Sequence, residues 1–284
     1  MRNTILKTII IGGLAFGFSA PANAALENYK LSYDVYAGGM HALRSTYEKE
    51  RDDDQYDVLV TAETNGLIGR LFPWAGAYES TGLVHSSDLT PLEHNSISSW
   101  KQNKTTKKLV FDKGEATKLI KKENGQTETK TDFKPVLVQN ASDMLTAIML
   151  AFQDIDQTAS CNTSIPAFDG KRKFNIRFSE SKQAYIEKSK YSVFSGPALK
   201  CTVTVEPVAG FREKDMGKGW MAIQNHTRKR GRLPEIWFGR LHDNGELVPV
   251  RMEISSNYGG VVGHLTDMNI PGLSKLSPAA GGAE

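Results

Sequence analysis

The chain has 284 residues, and its 39% hydrophobic and 24% charged content is ordinary for a globular protein and too apolar for a chain that is disordered throughout. Two of its 35 Lys and Arg residues precede residue 25, so the rest of the chain carries 33 basic against 32 acidic residues, which excludes the strong positive charge typical of nucleic-acid binding. Beyond residue 24 no apolar run approaches the roughly 20 residues that a bilayer-crossing helix needs, so we expect no transmembrane segment in the mature chain.

The first 24 residues have the pattern of a cleavable signal peptide. Arg2 and Lys7 give a positively charged start, an apolar run follows over 9–18, and small residues precede the expected cleavage site after Ala24. We expect the mature chain to be exported to an oxidising compartment, the bacterial periplasm. At the other end, residues 276–284 contain little that could be buried and are expected to be disordered.

From residue 27 onward, apolar and polar residues alternate with a period of two, which predicts short β-strands. The alternation is clearest over 29–35, 174–178 and 248–254. Asn244-Gly245 predicts a hairpin in the C-terminal half, and Asp169-Gly170 predicts a two-residue hairpin turn. We therefore expect a mainly β fold, built as a curved antiparallel sheet or an open β-barrel within a single domain over residues 25–275.

A shorter apolar segment, residues 66–74, is turn-like but more apolar than a surface loop requires. We expect it to loop over one end of the sheet and either to plug the end of a barrel or to line the mouth of a pocket.

One segment, residues 140–155, departs from the strand pattern. Its apolar residues recur at helical spacing, and Asn140 or Ser142 can provide the N-cap. Because the segment is apolar over most of its circumference, it must be covered on more than one side. We expect a core helix packed against the concave face of the sheet, with contact to lipid as the alternative.

The chain contains two cysteines, Cys161 and Cys201. In an exported protein an even pair predicts one disulfide, the alternative being two buried free thiols. Cys201 shares a strand face with Val203 and Val205, so its sulfur is expected to point into a core. The bridge would then connect the C-terminal end of the core helix to the second half of the sheet.

Motifs of known enzyme classes are absent from the sequence, including the nucleophile-elbow, zinc-protease, phosphate-loop and dinucleotide patterns. The six histidines lack the short spacings of metal ligands, so we assign no metal, cofactor or catalytic residue. The best candidates for an enzymatic alternative are His85, Glu93 and His94, which lie on neighbouring predicted strands.

Two basic runs remain, one over 101–122 and one over 228–232. Lysines on a sheet edge protect it from pairing with other chains, which is the simpler interpretation. The alternative is attraction to anionic envelope material such as phospholipid head groups.

Several short motifs together resemble a bacterial exported family, domain of unknown function 3108. These motifs are Cys161 and residues 167–172, 199–201, 207–211 and 249–251. The resemblance covers nearly the whole mature chain. It implies an envelope protein with a curved antiparallel sheet, and it implies no particular reaction.

The leading functional hypothesis is a non-enzymatic periplasmic protein that binds a lipid or another apolar or amphipathic ligand in its curved sheet. The aromatic residues expected to line the concave face are Tyr29, Tyr33, Trp100, Trp237 and Phe238. The alternatives are a hydrolase of envelope polymer or lipid, with catalytic residues carried on separate strands, and a structural scaffold whose sheet edge pairs with another envelope protein.

Overall fold

The computed structural model of the protein describes residues 28–243, 245–256 and 259–271. The predicted signal peptide and the predicted disordered tail lie outside these residues. Within the described ranges, no helix has the length and apolar character needed to cross a bilayer.

The described chain forms one antiparallel sheet of fourteen strands. The strands are β1 (Tyr29–Ala37), β2 (Met40–Arg51), β3 (Gln55–Thr64), β4 (Trp74–His85), β5 (Asp88–Trp100), β6 (Asn103–Asp112), β7 (Glu115–Glu123), β8 (Gln126–Lys130), β9 (Thr163–Phe168), β10 (Lys173–Ile186), β11 (Gly196–Ala209), β12 (Glu235–Arg240), β13 (Leu247–Ser256) and β14 (Gly259–Asn269). Their order across the sheet is β8-β7-β6-β5-β4-β3-β2-β1-β14-β13-β12-β11-β10-β9. The sheet is open, and the predicted mainly β fold is confirmed.

Four α-helices accompany the sheet in the described chain, α1 (Gly66–Leu71), α2 (Pro135–Val138), α3 (Met144–Thr158) and α4 (Gly219–Lys229), and a single 3-10 turn covers Glu213–Asp215. The predicted core helix is α3. Its N-cap is Asp143, and the prediction of Asn140 or Ser142 is wrong. The Asp143 carboxylate accepts hydrogen bonds from the backbone N–H groups of Leu145 and Thr146, whereas Ser142 pairs with the sheet at Ala167.

The sheet curves around α3, so that the helix contacts both halves of the concave face. We call β1–β8 the first half of the sheet and β9–β14 the second half. Leu145 and Met149 belong to a large cluster that joins side chains of β1–β5 to side chains of β10–β14, and Ala147, Ala151 and Ile155 belong to a cluster with the second half alone. All five side chains are buried. The expected packing of an all-round apolar helix against a concave sheet is therefore confirmed.

Turn geometry follows the sequence in part. Strands β12 and β13 form the predicted C-terminal hairpin. The connection between β9 and β10 has four residues rather than the predicted two, since Phe168 pairs with Lys173. The Asp169 carboxylate accepts hydrogen bonds from the backbone N–H groups of Lys171 and Arg172, and these bonds stabilise the longer turn around Gly170 at φ +89°.

The segment over residues 66–74 forms α1 and the start of β4 instead of a plug or a pocket wall. None of the six residues of α1 is buried, and Leu67 and Leu71 are both more than half exposed. The segment therefore lies at the end of the sheet, as expected, but its exposed leucines do not plug that end, and it does not line the cavity described below.

The predicted disulfide is present, since Cys161 and Cys201 are joined with their Cα atoms 5.5 Å apart. Cys161 lies between the end of α3 and the start of β9, and Cys201 lies on β11. Both cysteines are fully buried. The bridge thus connects the end of the core helix to the second half of the sheet, as expected from the sequence.

Candidate ligand-binding cavity

A cavity of about 530 Å³ lies between α3 and the second half of the sheet. On the helix side its wall is a third apolar stripe of α3, formed by Met144, Ile148 and Phe152 at a spacing of four residues. These side chains are half-buried, in contrast to the fully packed Ala147 and Ala151 on the neighbouring stripe. The helix therefore leaves one apolar stripe without full cover.

The sheet supplies the opposite wall from residues that alternate along four adjacent strands. They are Phe174, Ile176 and Phe178 on β10, Val203 and Val205 on β11, Ile236 on β12 and Met252 on β13. The Phe152 ring also packs edge-on against Phe178 at 6.1 Å and against Phe238 at 5.1 Å between centroids. Both long walls are thus apolar.

The third side is closed by residues 211–229, which we call the lid segment and which include α4. Phe211, Trp220 and Met221 of this segment line the cavity. The Gln224 side chain holds α4 to β11: its oxygen accepts from the Val205 N–H at 2.6 Å, and its amide donates to the Val205 carbonyl at 3.0 Å. Gln224 is almost fully buried, so α4 is a fixed wall of the cavity.

Charged residues lie where the cavity meets solvent. Arg172 forms an ion pair with Asp169 at 2.6 Å, and its guanidinium lies 5.2 Å from the centre of the Phe211 ring. Lys218, which is exposed, completes this rim. The cavity therefore combines an apolar interior with a charged opening, the arrangement that suits an amphipathic molecule.

The base of the lid segment is tied down by Asp215. Its carboxylate accepts hydrogen bonds from the Arg212 side chain and backbone, and Lys171 of the β9–β10 turn lies 3.7 Å away. The hydrogen bond from Arg212 lowers the pKa of Asp215 to about 2, so the carboxylate is charged at all ordinary pH values.

Trp220 carries a polar group that has no partner within the described chain. Its indole nitrogen is shielded from solvent and forms no hydrogen bond there. A buried N–H without an acceptor costs about 1–3 kcal/mol. A ligand with an oxygen acceptor near this ring would remove that cost.

On the other side of α3, a buried polar network joins the helix to the first half of the sheet. We call Ser80, His94, Asp143 and Thr146 the polar latch. The Ser80 hydroxyl donates to Asp143 at 2.6 Å and contacts His94 Nδ1 at 2.7 Å, and the Thr146 hydroxyl donates to the same carboxylate at 2.5 Å. Tyr56 extends the network through a hydrogen bond to Thr146 at 2.7 Å.

The polar latch keeps Asp143 ionised. Burial acts to raise the pKa of this carboxyl, but the hydrogen bond and charge attraction of His94, together with the hydrogen bonds from Ser80 and Thr146, outweigh it, so the pKa is lower than usual. His94 Nδ1 lies 3.4 Å from the carboxylate. The network supplies every donor that a buried helix-capping carboxylate needs.

The residues proposed for an enzymatic alternative are not brought together. His85 is exposed at the β4–β5 hairpin, and Glu93 and His94 are successive residues of β5, so they face opposite sides of the sheet. Glu93 pairs with Lys108 instead. His94 does meet a hydroxyl and a carboxylate, but Ser80 has no exposed surface from which to attack a substrate.

The five aromatic residues expected to line a ligand site do not line this cavity. Tyr29, Tyr33 and Trp237 pack in or against the large cluster that joins both halves of the sheet, and Phe238 packs in the cluster of the second half. Trp100 is 45% exposed beside α1. The prediction missed the lid segment, whose helical spacing of buried Met221, Gln224 and Thr227 was the available sequence signal.

The two basic runs occupy different surfaces. The lysines over 101–122 lie on and between β5, β6 and β7, next to the short edge strand β8, all five residues of which are exposed. The second run lies at the end of α4, where Arg230 and Arg232 border an open groove beside β13 and β14. Across the described ranges, no group of three His, Cys, Asp or Glu residues is arranged to hold a metal ion.

Comparison with known proteins supports the resemblance noted in the sequence. No curated protein matches the chain. A solved "Beta-barrel-like Protein of Domain of Unknown Function DUF1849 from Brucella abortus" is similar at 11% identity, with a TM-score of 0.45 over 87% of this chain and 99% of that chain. The family profile "Protein of unknown function (DUF3108)" matches residues 32–266. The chain therefore belongs to the DUF3108 family.

Proposed function

We propose that this protein is a non-enzymatic periplasmic carrier that binds one amphipathic, lipid-like ligand in the cavity between α3, the second half of the sheet and the lid segment. The observation that carries the proposal is the uncovered stripe of Met144, Ile148 and Phe152, which faces an apolar space of about 530 Å³. Sites for small molecules have volumes of about 300–1,000 Å³. The space thus has the size and the lining of a ligand site.

The ligand class follows from how polarity is distributed around the cavity. An acyl chain or a similar apolar body would cover the half-buried valines of the sheet wall and Phe152 of the helix wall, which stabilises by about 0.8 kcal/mol per buried CH₂ group. A polar head group would lie at the rim, near Arg172 and Lys218. An ester or hydroxyl oxygen close to Trp220 would accept the hydrogen bond that its indole N–H lacks.

The proposal also states that the protein is exported to the periplasm and that it is not an enzyme. The signal-peptide pattern and the Cys161–Cys201 disulfide are both typical of an oxidising compartment. The polar latch is the one place where the described chain joins a serine, a histidine and an aspartate, and Ser80 and Asp143 are fully buried there. Such an arrangement supports positioning of α3 rather than nucleophilic attack.

Native mass spectrometry of protein purified from its own periplasm tests the proposal directly. We expect a bound lipid-like species that is released on denaturation. A fluorescent apolar probe, N-phenyl-1-naphthylamine, then competes for the site in the delipidated protein. Recovery of ligand-free protein that also fails to bind the probe would contradict a carrier function.

Two valines of the same strand give a matched pair of variants. Val203→Trp fills the cavity and should weaken probe binding at least about tenfold, because the probe would lose most of its apolar contacts. Val208→Trp adds the same side chain at a position that is 49% exposed and should bind like the unmodified protein. Circular dichroism confirms that both variants fold, and Ile236→Phe repeats the test with a smaller addition. Equal binding by all variants would locate the ligand outside the cavity.

A further inference from the structure

The tip of the sheet formed by α1 and the β5–β6 turn exposes apolar side chains on a rigid support. Leu67, Leu71 and Phe72 are 59%, 58% and 52% exposed, and the Phe72 ring lies 6.4 Å from that of Trp100, which is 45% exposed. We call these four side chains the apolar tip. Surface side chains of this size are common singly, but four on adjoining segments mark an interaction site.

The support explains why these side chains point outward. A Cβ atom added at Gly69 would lie 2.7 Å from the Thr64 carbonyl oxygen, so this glycine allows α1 to sit directly against the end of β3. Leu67 and Leu71 are each two residues from Gly69, which places them on the opposite side of the helix. The leucines are therefore directed away from the body of the protein by the way α1 packs.

Hydrogen bonds fix the segment that follows the helix. The Thr64 hydroxyl donates to the Phe72 carbonyl at 2.9 Å and accepts from the Trp74 N–H at 2.9 Å, and the Lys101 N–H donates to the Pro73 carbonyl at 3.1 Å. The last bond connects the α1 segment to the β5–β6 turn. These hydrogen bonds therefore hold the backbone of the tip in place.

The charges on the segments of the tip are mainly basic. Residues 64–78 and 95–111 contain Arg70 and four lysines and no aspartate or glutamate, and the exposed Glu63 precedes them at the end of β3. Arg70, Lys101 and Lys104 are exposed, and the described residues form no ion pair with them. Leucine and aromatic side chains surrounded by Lys and Arg are typical of proteins that bind the surface of an anionic bilayer.

We propose that the apolar tip docks this protein on an anionic lipid bilayer, with Leu67, Leu71, Phe72 and Trp100 inserted among the head groups and Arg70, Lys101 and Lys104 at the phosphates. Aromatic rings favour the interfacial region, and each basic side chain near an anionic surface contributes about 1 kcal/mol. The surface is distinct from the cavity, whose lining residues belong to other strands and helices.

Vesicle flotation measures this docking. With vesicles of phosphatidylcholine containing about 30% phosphatidylglycerol, the protein should float, and with phosphatidylcholine alone it should not, because the charge attraction is lost. The variant L67S/L71S/F72S and the variant R70E/K101E/K104E should each bind at least about tenfold more weakly. Failure of the unmodified protein to bind either vesicle, or equal binding by all variants, would overturn the proposal.

Control variants change exposed apolar and basic side chains outside the apolar tip. Tyr185→Ser and Val208→Ser remove exposed apolar side chains, and Lys182→Glu reverses an exposed charge, and all three should bind vesicles normally. Val203→Trp, which fills the cavity, should also bind vesicles normally. Loss of ligand binding in the cavity can therefore be distinguished from loss of docking on the bilayer. Sedimentation without vesicles identifies the competing occupant: a dimer abolished by L67S/L71S/F72S would assign the tip to a second copy of the chain and reject the bilayer.

Brominated lipids report insertion of the tip itself. In unmodified protein they should quench part of the tryptophan fluorescence, because bromine lies at the depth that interfacial rings reach. The variant W74F/W100F should lose this quenching while retaining the emission of Trp220 and Trp237. Quenching that survives in W74F/W100F would show that another surface enters the bilayer.

Discussion

The two sides of α3 differ in how the space beside them is filled. Towards the first half of the sheet, large side chains leave a space of only about 20 Å³ beside Tyr29 and Tyr47. Burial raises the pKa values of Tyr29, Tyr33 and Tyr47, which remain neutral phenols. Towards the second half, shorter side chains such as Val203 and Val205 leave the cavity open. One helix therefore borders a packed core on one side and an unfilled apolar space on the other.

The two sides of α3 have different roles, since one stabilises the fold and the other borders the cavity. The packed side holds α3 in place, because the polar latch fixes its N-terminus and Leu145 and Met149 pack in the large core cluster. The cavity side leaves dispersion contacts unused, which is a cost for a protein that needs only stability. We infer that the packed side supplies the stability that the cavity side gives up.

The largest effect is expected where the disulfide secures the cavity side. Cys201 lies on β11, the strand that carries Val203 and Val205, and it closes a loop with a sequence separation of 40. Cys201→Ser should lower the free energy of unfolding by about 3–5 kcal/mol, since it removes the cross-link and buries a hydroxyl. Urea denaturation measures this change.

The double variant C161A/C201A is the control for the polar group. It should be less harmful than Cys201→Ser, because no unsatisfied hydroxyl remains. Non-reducing peptide mapping should recover the two cysteines as one linked pair. Alkylation of both thiols, or an unfolding midpoint that reductant leaves unchanged, would reject the assigned role of the bridge.

A second comparison uses neighbouring residues on the two sides of the helix. Met149 is 5% exposed in the packed core, so Met149→Ala should cost about 2–4 kcal/mol. Ile148 borders the cavity and already lacks contacts on one side, so Ile148→Ala should cost about 1 kcal/mol in ligand-free protein. Urea denaturation of both variants measures the two losses of stability. Equal costs would mean that the cavity side is as tightly packed as the core.

The sequence predicted those features that depend on local pattern. Strands such as β1 and β13 were found because one face of each is buried, which produces alternation. α3 was found because it is apolar on nearly every side. The disulfide followed from two cysteines and an expected oxidising compartment.

Features that depend on tertiary contacts were missed. The N-cap was misassigned because Ser142 and Asp143 are equally favourable N-cap residues, and the pairing of Ser142 with Ala167 of β9 is a tertiary contact. The lid segment was missed because α4 is largely polar and is held by the contact of Gln224 with the backbone of β11. The exposure of Leu67 and Leu71 depends on how Gly69 packs, which periodicity does not reveal.

The effect expected over the narrowest range of conditions is the acid dependence of the polar latch. The pKa of Asp143 is lower in the folded protein than its ordinary value of 3.8, so its ionised form is favoured by folding. Its contribution to stability is therefore complete above about pH 5 and is lost as the pH falls through 3.8 towards the folded pKa. The pH range over which Asp143 changes the stability therefore lies entirely below about pH 5.

Asp143→Asn isolates this contribution, because the amide oxygen can still cap α3 while the charge is removed. We expect a loss of about 1–2 kcal/mol at pH 7, where the charge-assisted hydrogen bonds of the latch are lost. The other carboxylates titrate in both proteins, so the difference between the two stability curves should shrink as the pH falls below 4. Urea denaturation between pH 3 and pH 7 measures it. A difference that stays constant with pH would show that Asp143 acts through shape alone, and the packed side would then owe its stability to its apolar contacts rather than to the latch.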